Sequence, residues 1–188
     1  VFEMTTFTST NASCFGVCDG ELTATMQGGT LPYTYVWSSN AGTGNVNQAT
    51  NLCADTFNLV ITDANGCVVD TFTHEITEPG EIIITQLEVD SVVCNGNNDG
   101  ILTLLATNGD NYSIAGQMTA TNTTGLFNNL EPGNYTITVA DVNGCEIDSS
   151  FVVYEPTELL ITSLNSSNVL CNADENGSIS LTATGGIT

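Results

Sequence analysis

Short runs in which polar and apolar residues alternate recur along the chain. Glu21–Met26 alternates in this way, Leu102, Leu104 and Ala106 take the same apolar positions later, and Ser178–Ala183 repeats the pattern. Alternation with a period of two over about six residues is typical of a β-strand with one buried face. We find no helical periodicity longer than one turn. The pattern therefore predicts an all-β fold.

Further strands and tight turns complete the predicted unit. Tyr33–Trp37 and Phe57–Thr62 read as strands of a first unit, and Tyr135–Val139 matches the second of these. Asp63–Gly66 and Asp141–Gly144 each place Asn-Gly where a turn needs residues that tolerate a left-handed backbone. Each turn and its flanking strands are therefore predicted to form a hairpin.

These hairpins belong to a larger repeated unit. Ile61–Cys67 returns as Val139–Cys145, and Glu78–Thr85 returns as Glu155–Thr162. A unit of about 77 residues that recurs along a chain indicates an array of similar domains. Arrays usually span distance or present surface.

The dipeptide Glu-Pro marks the predicted boundaries, ending at Pro79 and Pro156. Proline donates no ladder hydrogen bond and biases the preceding residue toward extended backbone. A strand-like segment follows each boundary at once, so the linkers are expected to be nearly absent and the domains to form a semi-rigid rod. The predicted domains are two β-sandwich repeats and the incomplete N-terminal part of a third, at residues 1–79, 80–156 and 157–188.

Seven cysteines predict disulfide bonds. Cys14, Cys94 and Cys171 are equivalent early cysteines, because a glycine follows each at the same spacing. Cys67 and Cys145 are equivalent late cysteines at the ends of the Asp-x-Asn-Gly turns. Each complete repeat thus holds one early and one late cysteine, and the expected pairs are Cys14–Cys67 and Cys94–Cys145.

The remaining cysteines refine the expected disulfide framework. Cys18 and Cys53 occur only in the first repeat and are expected to form an extra pair. The total is odd, and the partner of Cys171 is expected to lie beyond Thr188. A zinc site is disfavoured, because no Cys-x-x-Cys pair is present and His74 is the only histidine. Short strands with a disulfide across a small core predict tandem, disulfide-stapled immunoglobulin-like β-sandwiches.

Charge excludes several partners. The chain has no Lys or Arg but 21 Asp and Glu, a formal net charge of -21. Binding to nucleic acid or anionic lipid needs cations and is not expected. No apolar run approaches the roughly 18 residues of a membrane span, and no signal peptide begins at Val1, so we expect a mature or excised segment with no membrane insertion. A soluble extracellular surface is the favoured interpretation.

Two loops loosely resemble the first half of a calcium loop. Asp99 and Asp174 are the weak candidate ligands, in stretches that alternate oxygen-bearing residues and end in glycine. The position that should supply a bidentate Glu is Ala106 or Ala183, so no EF-hand is predicted. We assign no cofactor and no metal site, although calcium at a domain junction remains open.

No candidate for catalysis is repeated between the units. His74 is predicted to be a surface or edge side chain, because a hydrolytic site needs a nucleophile, a base and an orienting group together. We therefore expect no enzyme activity and no catalytic residue. Ser91, between Asp90 and Val92, resembles a short bacterial O-glycosylation signal and is a weak candidate for glycosylation.

The ordered set of motifs resembles the SprB-repeat family of Bacteroidota cell-surface gliding adhesins. The first unit carries it most fully, in Cys14–Gly20, Gly28–Trp37, Leu52, Phe57–Cys67 and Glu78–Pro79. The second unit matches at Cys94, Asp99–Gly100, Leu130–Tyr135, Asp141–Cys145 and Glu155–Pro156, and the third from Cys171 to Gly186. The second unit departs from the pattern at Asn108–Ile114, where no Trp follows.

The resemblance implies a type IX-secreted polypeptide of the cell surface or of a secreted filament. Its repeats would form a mechanical stalk or filament for adhesion, with gliding motility as one use. Expected partners are neighbouring repeats of the same chain or other fibre subunits, and a polysaccharide or solid surface. Two other functions remain open: an array of carbohydrate-binding modules, or an accessory region of a secreted enzyme. The third repeat would be completed by residues beyond Thr188 or by another subunit.

Overall fold

The chain is all-β in a computed structural model that describes residues 1–173 and 175–186. Within these residues it forms fifteen strands, and its one helical segment is a short 3-10 turn at Ser39–Ala41. The strands are β1 Glu3–Thr10, β2 Gly20–Gln27, β3 Thr34–Trp37, β4 Gln48–Leu52, β5 Asp55–Thr62, β6 Val68–Ile76, β7 Ile83–Asp90, β8 Gly100–Thr107, β9 Asn111–Ala115, β10 Ala120–Asn122, β11 Leu126–Leu130, β12 Gly133–Ala140, β13 Glu146–Val153, β14 Leu160–Ser167 and β15 Ser178–Thr184. The all-β prediction is confirmed.

The chain divides into two compact units. The first contains Val1–Glu81 together with Asn143–Cys145, and the second contains Ile82–Val142 and Glu146–Thr188. The division at Glu81 lies close to the boundary predicted at Pro79. The three predicted domains, however, are not the two units of this division, and they stay a prediction.

The first unit contains two antiparallel three-stranded sheets. Their strand orders are β1-β2-β4 and β3-β5-β6. Alternation along the strands supplies the core: Leu22 and Ala24 come from β2, and Phe57, Leu59 and Ile61 from β5. Buried side chains from both sheets form one hydrophobic cluster, which removes the apolar face of each sheet from water.

The second unit repeats this arrangement with different residues. One sheet has the order β11-β8-β7 and another the order β10-β9-β12-β13. Leu102 and Leu104 of β8 and Ile137 and Val139 of β12 are fully buried, at positions equivalent to the core residues of the first unit. The alternation that predicted these strands also predicts which of their side chains are buried.

The second unit has a counterpart to Trp37 that its sequence does not reveal. Trp37 of β3 lies opposite Leu59 of β5, and its indole Nε1 donates to the carbonyl oxygen of Val46 at 2.9 Å. Ile114 of β9 lies opposite Ile137 of β12, which is the equivalent of Leu59. The central strands are therefore equivalent, with an isoleucine in the place of the tryptophan.

The hairpin of β14 and β15 reproduces the first hairpin of each preceding copy. Its register shifts between Ile161 and Ser163, as the equivalent hairpins shift between Met4 and Thr6 and between Ile84 and Gln86. Its apolar face differs in burial, because Ile179 is 79% exposed and Leu181 is 56% exposed. The hairpin thus has the geometry of a third copy, and in the part of the chain that the structure describes its sheet contains these two strands alone.

Candidate functional site: cysteine loops and turns

The loop between β1 and β2, residues 11–19, holds Cys14 in a defined turn. The amide of Val17 donates to the carbonyl oxygen of Cys14 at 3.1 Å. The amide of Gly16, which has a φ of 71°, donates to the carboxylate of Glu78 at 2.7 Å. Glu78 comes just after β6, so this bond fixes the loop, which we call early-cysteine loop 1, to the end of the same copy.

The loop between β7 and β8, residues 91–99, repeats these bonds one copy later. The amide of Asn97 donates to the carbonyl oxygen of Cys94 at 3.1 Å. The amide of Gly96, with a φ of 83°, donates to the carboxylate of Glu155 at 2.6 Å. We call this segment early-cysteine loop 2. The glutamate of each Glu-Pro motif therefore does more than mark a boundary, because it holds the loop that presents the early cysteine.

An acidic side chain closes each early-cysteine loop from within. Asp19 accepts from the amide of Ser13 at 2.8 Å and from its hydroxyl at 2.5 Å. These bonds, the hydroxyl first, lower the pKa of Asp19 below its usual range. Asp99 accepts from the amide of Val93 at 3.2 Å in the same way.

Of the two calcium candidates, Asp99 is thus engaged in its own loop, and Asp174 lies outside the described residues. In residues 1–173 and 175–186 no group of three or more His, Cys, Asp or Glu side chains is placed to hold a metal ion.

The turn that carries Cys67 is built around a buried carboxylate. The Oδ1 atom of Asp63 accepts from the amides of Asn65 at 2.9 Å and Cys67 at 2.8 Å. Its Oδ2 atom accepts from the amide of Thr30 at 3.0 Å. The equivalent Asp141 is buried to the same degree, 7% exposed against 6% for Asp63. We call Asp63–Cys67 and Asp141–Cys145 the late-cysteine turns.

Ionisation of Asp63 stabilises its turn. The amide of Cys67 is the largest cause that lowers the pKa of Asp63, and the amides of Thr30 and Asn65 act in the same direction, while burial opposes them. A carboxylate that accepts several backbone N–H bonds is favoured in its charged form. This offsets part of the cost of a buried charge in a chain that has no lysine or arginine.

The early and late cysteines of one copy lie at opposite ends of that copy. Early-cysteine loop 1 is fixed to Glu78, beside the end of β5 where Asp55 pairs with Ile76. Cys67 follows the other end of β5, where Thr62 pairs with Val68. The eight residues of β5 span about 23 Å. A disulfide requires Cα atoms within about 7 Å, so the expected Cys14–Cys67 pair is wrong.

Cys14 is bonded instead to Cys145, with a Cα–Cα distance of 5.7 Å. Asn143–Cys145 belongs to the first compact unit, so both sulfurs lie in that unit. This bond also replaces the expected Cys94–Cys145 pair. In terms of the sequence repeat, the early cysteine of one copy is joined to the late cysteine of the copy that follows it.

The other cysteines have three different environments. Cys18 and Cys53 are joined in a second disulfide, which is the pair expected from their occurrence in the first repeat alone. Cys67 and Cys94 carry exposed thiols. Cys171 lies in the exposed loop between β14 and β15.

Two further candidates from the sequence have structural partners. The hydroxyl of Ser91 accepts from the amide of Tyr154 at 3.0 Å, and glycosylation of this serine stays a prediction. His74 is half-buried on β6, where its ring lies 5.4 Å from that of Phe7 in an edge-on arrangement. This aromatic contact gives His74 a packing role.

Among the side chains that the structure describes, exposed aromatic residues do not recur between copies. Phe15 is exposed in early-cysteine loop 1, and the equivalent residue in loop 2 is Asn95. Tyr154 is exposed after β13, and the equivalent residue after β6 is Thr77. An array that binds a regular polymer through aromatic platforms would repeat them, so these two residues do not favour that function.

The sequence interpretation missed the four acidic residues that shape the cysteine segments. The pattern identifies Glu78 and Glu155 only as boundary residues, and Asp63 and Asp141 only as turn residues. A signal for the aspartates is present in the sequence, because Asp63 and Asp141 each stand four residues before a cysteine. An acid that is repeated together with a cysteine indicates a structural partnership between the two.

None of the described residues forms a helix of the length and apolarity that a membrane crossing requires.

The model of the SprB repeat family matches residues 6–42 and 163–188. These segments cover early-cysteine loop 1 and its counterpart in the third copy, and they confirm the resemblance to SprB repeats there. The second repeat falls outside both segments.

Comparison with solved structures gives a distant likeness. The three N-terminal domains of the highly immunogenic outer capsid protein (Hoc) of bacteriophage RB49 share 17% sequence identity at a TM-score of 0.47. That match covers 100% of this chain and 70% of the phage chain. No curated protein matches this chain.

Proposed function

Because two of its segments match the SprB repeat, we propose that this chain is a structural repeat segment of a long extracellular surface fibre or adhesin. In this role it acts as a mechanical stalk or filament that holds a binding region at a distance. The chain serves adhesion, and gliding motility is one use of such a stalk.

The observation that carries this proposal is the Cys14–Cys145 disulfide between successive copies. It encloses 131 residues of sequence in one covalent loop. A pulling force applied to the ends of the chain passes through the two sulfurs and bypasses the strands inside the loop. A bond of this kind limits how far the copies extend when their strands separate, which is the property that a load-bearing stalk needs.

Repetition of the same local structure supports the proposal. Both early-cysteine loops are held by a Glu-Pro glutamate, and both late-cysteine turns contain a buried aspartate. Features preserved between copies serve the frame, whereas Phe15 and Tyr154, which could bind a ligand, are not preserved. The net charge of -21 keeps such a surface soluble and repels anionic surfaces.

Several finer features belong to the same proposal. The copies are immunoglobulin-like β-sandwiches arranged as a rod, secreted by the type IX system and located at the cell surface or in a secreted filament. The segment has no catalytic activity and needs no cofactor. Its partners are neighbouring repeats or other fibre subunits, and a polysaccharide or solid surface is met elsewhere on the fibre.

An in-frame deletion in the producing cell tests this function. Removal of residues 80–156, one predicted copy, should bring a distal epitope closer to the cell and leave secretion intact. Electron tomography with an epitope label measures that distance, and an insertion of the same copy should increase it. An unchanged distance would contradict the stalk. Loss of glycan binding by the purified chain when residues 80–156 are removed would contradict it too and would favour a carbohydrate-binding array.

A further inference from the structure

Two of the exposed cysteines, Cys67 and Cys94, occupy positions at which another copy forms a disulfide. Cys94 is the early cysteine equivalent to Cys14, and Cys67 is the late cysteine equivalent to Cys145. Cys14 and Cys145 are bonded to each other, whereas Cys67 and Cys94 are exposed. Cys94 and Cys67 are therefore equivalent to the two cysteines that form the Cys14–Cys145 disulfide.

The backbone holds Cys94 as it holds Cys14. In both loops the carbonyl oxygen of the cysteine accepts a hydrogen bond from the amide three residues later, at 3.1 Å. Gly16 and Gly96 both have positive φ, and each donates to a Glu-Pro glutamate. Glycine tolerates this left-handed backbone without strain. The two early-cysteine loops therefore present their sulfurs from the same local conformation.

The late-cysteine turns are equally alike. Gly66 and Gly144 have φ of 83° and 86°, and each directly precedes the cysteine. Asp63 and Asp141, which begin these turns, are both buried. Cys67 is thus presented by a turn of the same shape as the one that delivers Cys145 to its bond.

There is room for a partner at Cys94. Its side chain lines a cleft of about 400 Å³ in the second unit, and Pro156 and Leu159 are among the other lining residues. Pro156 ends the Glu-Pro boundary and Leu159 follows it, where the next copy begins.

Cys67 and Cys94 cannot bond to the other cysteine of their own copy. The early and late cysteines of a copy are separated by the length of an eight-residue strand, β5 in the first copy and β12 in the second. That length is about 23 Å, well beyond the reach of a disulfide. A partner for either thiol must come from a different copy.

We propose that Cys67 and Cys94 are half-sites of an inter-copy disulfide ladder. Cys94 bonds to the late cysteine of a copy that follows it, and Cys67 bonds to the early cysteine of a copy that precedes it. The ligand class is thus a cysteine-bearing Asp-x-Asn-Gly-Cys turn for Cys94 and an early-cysteine loop for Cys67. The inference rests on the proposed function only in requiring consecutive copies in one chain.

The chemistry of each bond balances with a small-molecule disulfide as oxidant. Two thiol sulfurs join, and two protons and two electrons leave them. The oxidant accepts both and is reduced to two thiols, through a mixed disulfide on one of the protein sulfurs. Oxidised glutathione supplies this reaction in the test tube.

A chain lengthened by its own repeat tests the proposal. A second copy of residues 80–156 is inserted after Pro156, in a Cys171→Ser background, and refolded with oxidised and reduced glutathione. The insertion adds two cysteines, and a new disulfide should leave two titratable thiols, as in the unextended chain. Four thiols in an extended chain with undiminished strand content by circular dichroism would overturn the ladder.

Single substitutions identify the partners of the new bond. Cys94→Ser in the original copy should abolish it, and Cys94→Ser in the inserted copy should leave it intact. The reverse result would show pairing within a copy and overturn the proposal. For the other half-site, a copy of residues 80–156 placed before Val1 should form a new bond that Cys67→Ser abolishes. Retention of the bond in that variant would refute the role of Cys67.

The ladder and the proposed function fail in different ways. If the lengthened chain forms the added bond but deletion of a copy leaves the distance of a distal epitope unchanged, the stalk is contradicted and the ladder is not. Chains that change the epitope distance but form no added bond would contradict the ladder alone.

Discussion

Cys145→Ser should lengthen the unfolded chain under force by a defined amount. The Cys14–Cys145 bond withholds 131 residues from extension, and the Cys18–Cys53 bond inside it withholds 35 of them even when the outer bond is absent. The substitution therefore releases 131 less 35, about 96 residues. At roughly 3.3–3.6 Å per extended residue, the gain in contour length is about 330 Å.

Optical tweezers with handles at the two ends of the chain measure this gain. Each variant is unfolded by force in the absence of reductant, and its fully extended length is compared with that of the unsubstituted chain. Cys67→Ser is the matched control, because it also replaces a late cysteine but should leave the extended length unchanged. Reductant added to the unsubstituted chain should release the full 131 residues, about 450 Å.

Pairing within each copy would give a different pattern. A Cys94–Cys145 bond would enclose 51 residues, so Cys145→Ser would lengthen the chain by only about 175 Å. Cys67→Ser would also lengthen the chain, because it would open a Cys14–Cys67 loop. Either result would refute the assignment of Cys145 to Cys14 and remove the mechanical argument for a stalk.

Three further predictions concern stability. Gly100→Ala should lower the free energy of unfolding in urea by about 1–3 kcal/mol, because the added methyl would lie 2.8 Å from a valine methyl and 2.9 Å from a carbonyl oxygen. Gly44→Ala is the control: its methyl would contact nothing, so stability should be nearly unchanged. Asp63→Asn should destabilise the chain at neutral pH. Since the folded state lowers the pKa of Asp63, the difference in unfolding free energy between the two chains should shrink as the pH falls below about 4. A difference that does not change with pH would contradict the role of the Asp63 charge. The double variant Cys18→Ser, Cys53→Ser should lose about 3.8 kcal/mol on the chain-entropy model of a 35-residue loop, and an unchanged thermal midpoint would count against that bond.

The alternation of polar and apolar residues predicts much of the fold. Glu21–Met26 lies within β2 and Tyr135–Val139 within β12, and their apolar residues face the core. The match works because a strand with one buried face needs a period of two. The central strand β9 is harder to predict, since Ile114, a smaller aliphatic side chain, fills the position of the aromatic Trp37.

The disulfide pairing could not be predicted from the same pattern. Repetition shows which cysteines are equivalent but not at which end of a copy each one lies. That depends on the order of the strands in the sheets, and many orders are compatible with one pattern of alternation. Cys14 and Cys67 belong to the same copy but lie about one strand length apart. The loop that carries Cys14 is fixed near one end of β5, and Cys67 lies near the other end.

Disulfide mapping of the non-reduced chain tests the central claim most directly. Trypsin has no site here, so a protease that cleaves after both Asp and Glu is used, which separates Cys67 from Cys145. The account predicts a linked fragment in which the segment carrying Cys14 is joined to the one carrying Cys145, and no partner for the segment carrying Cys67. A fragment that joins Cys14 to Cys67 would contradict it.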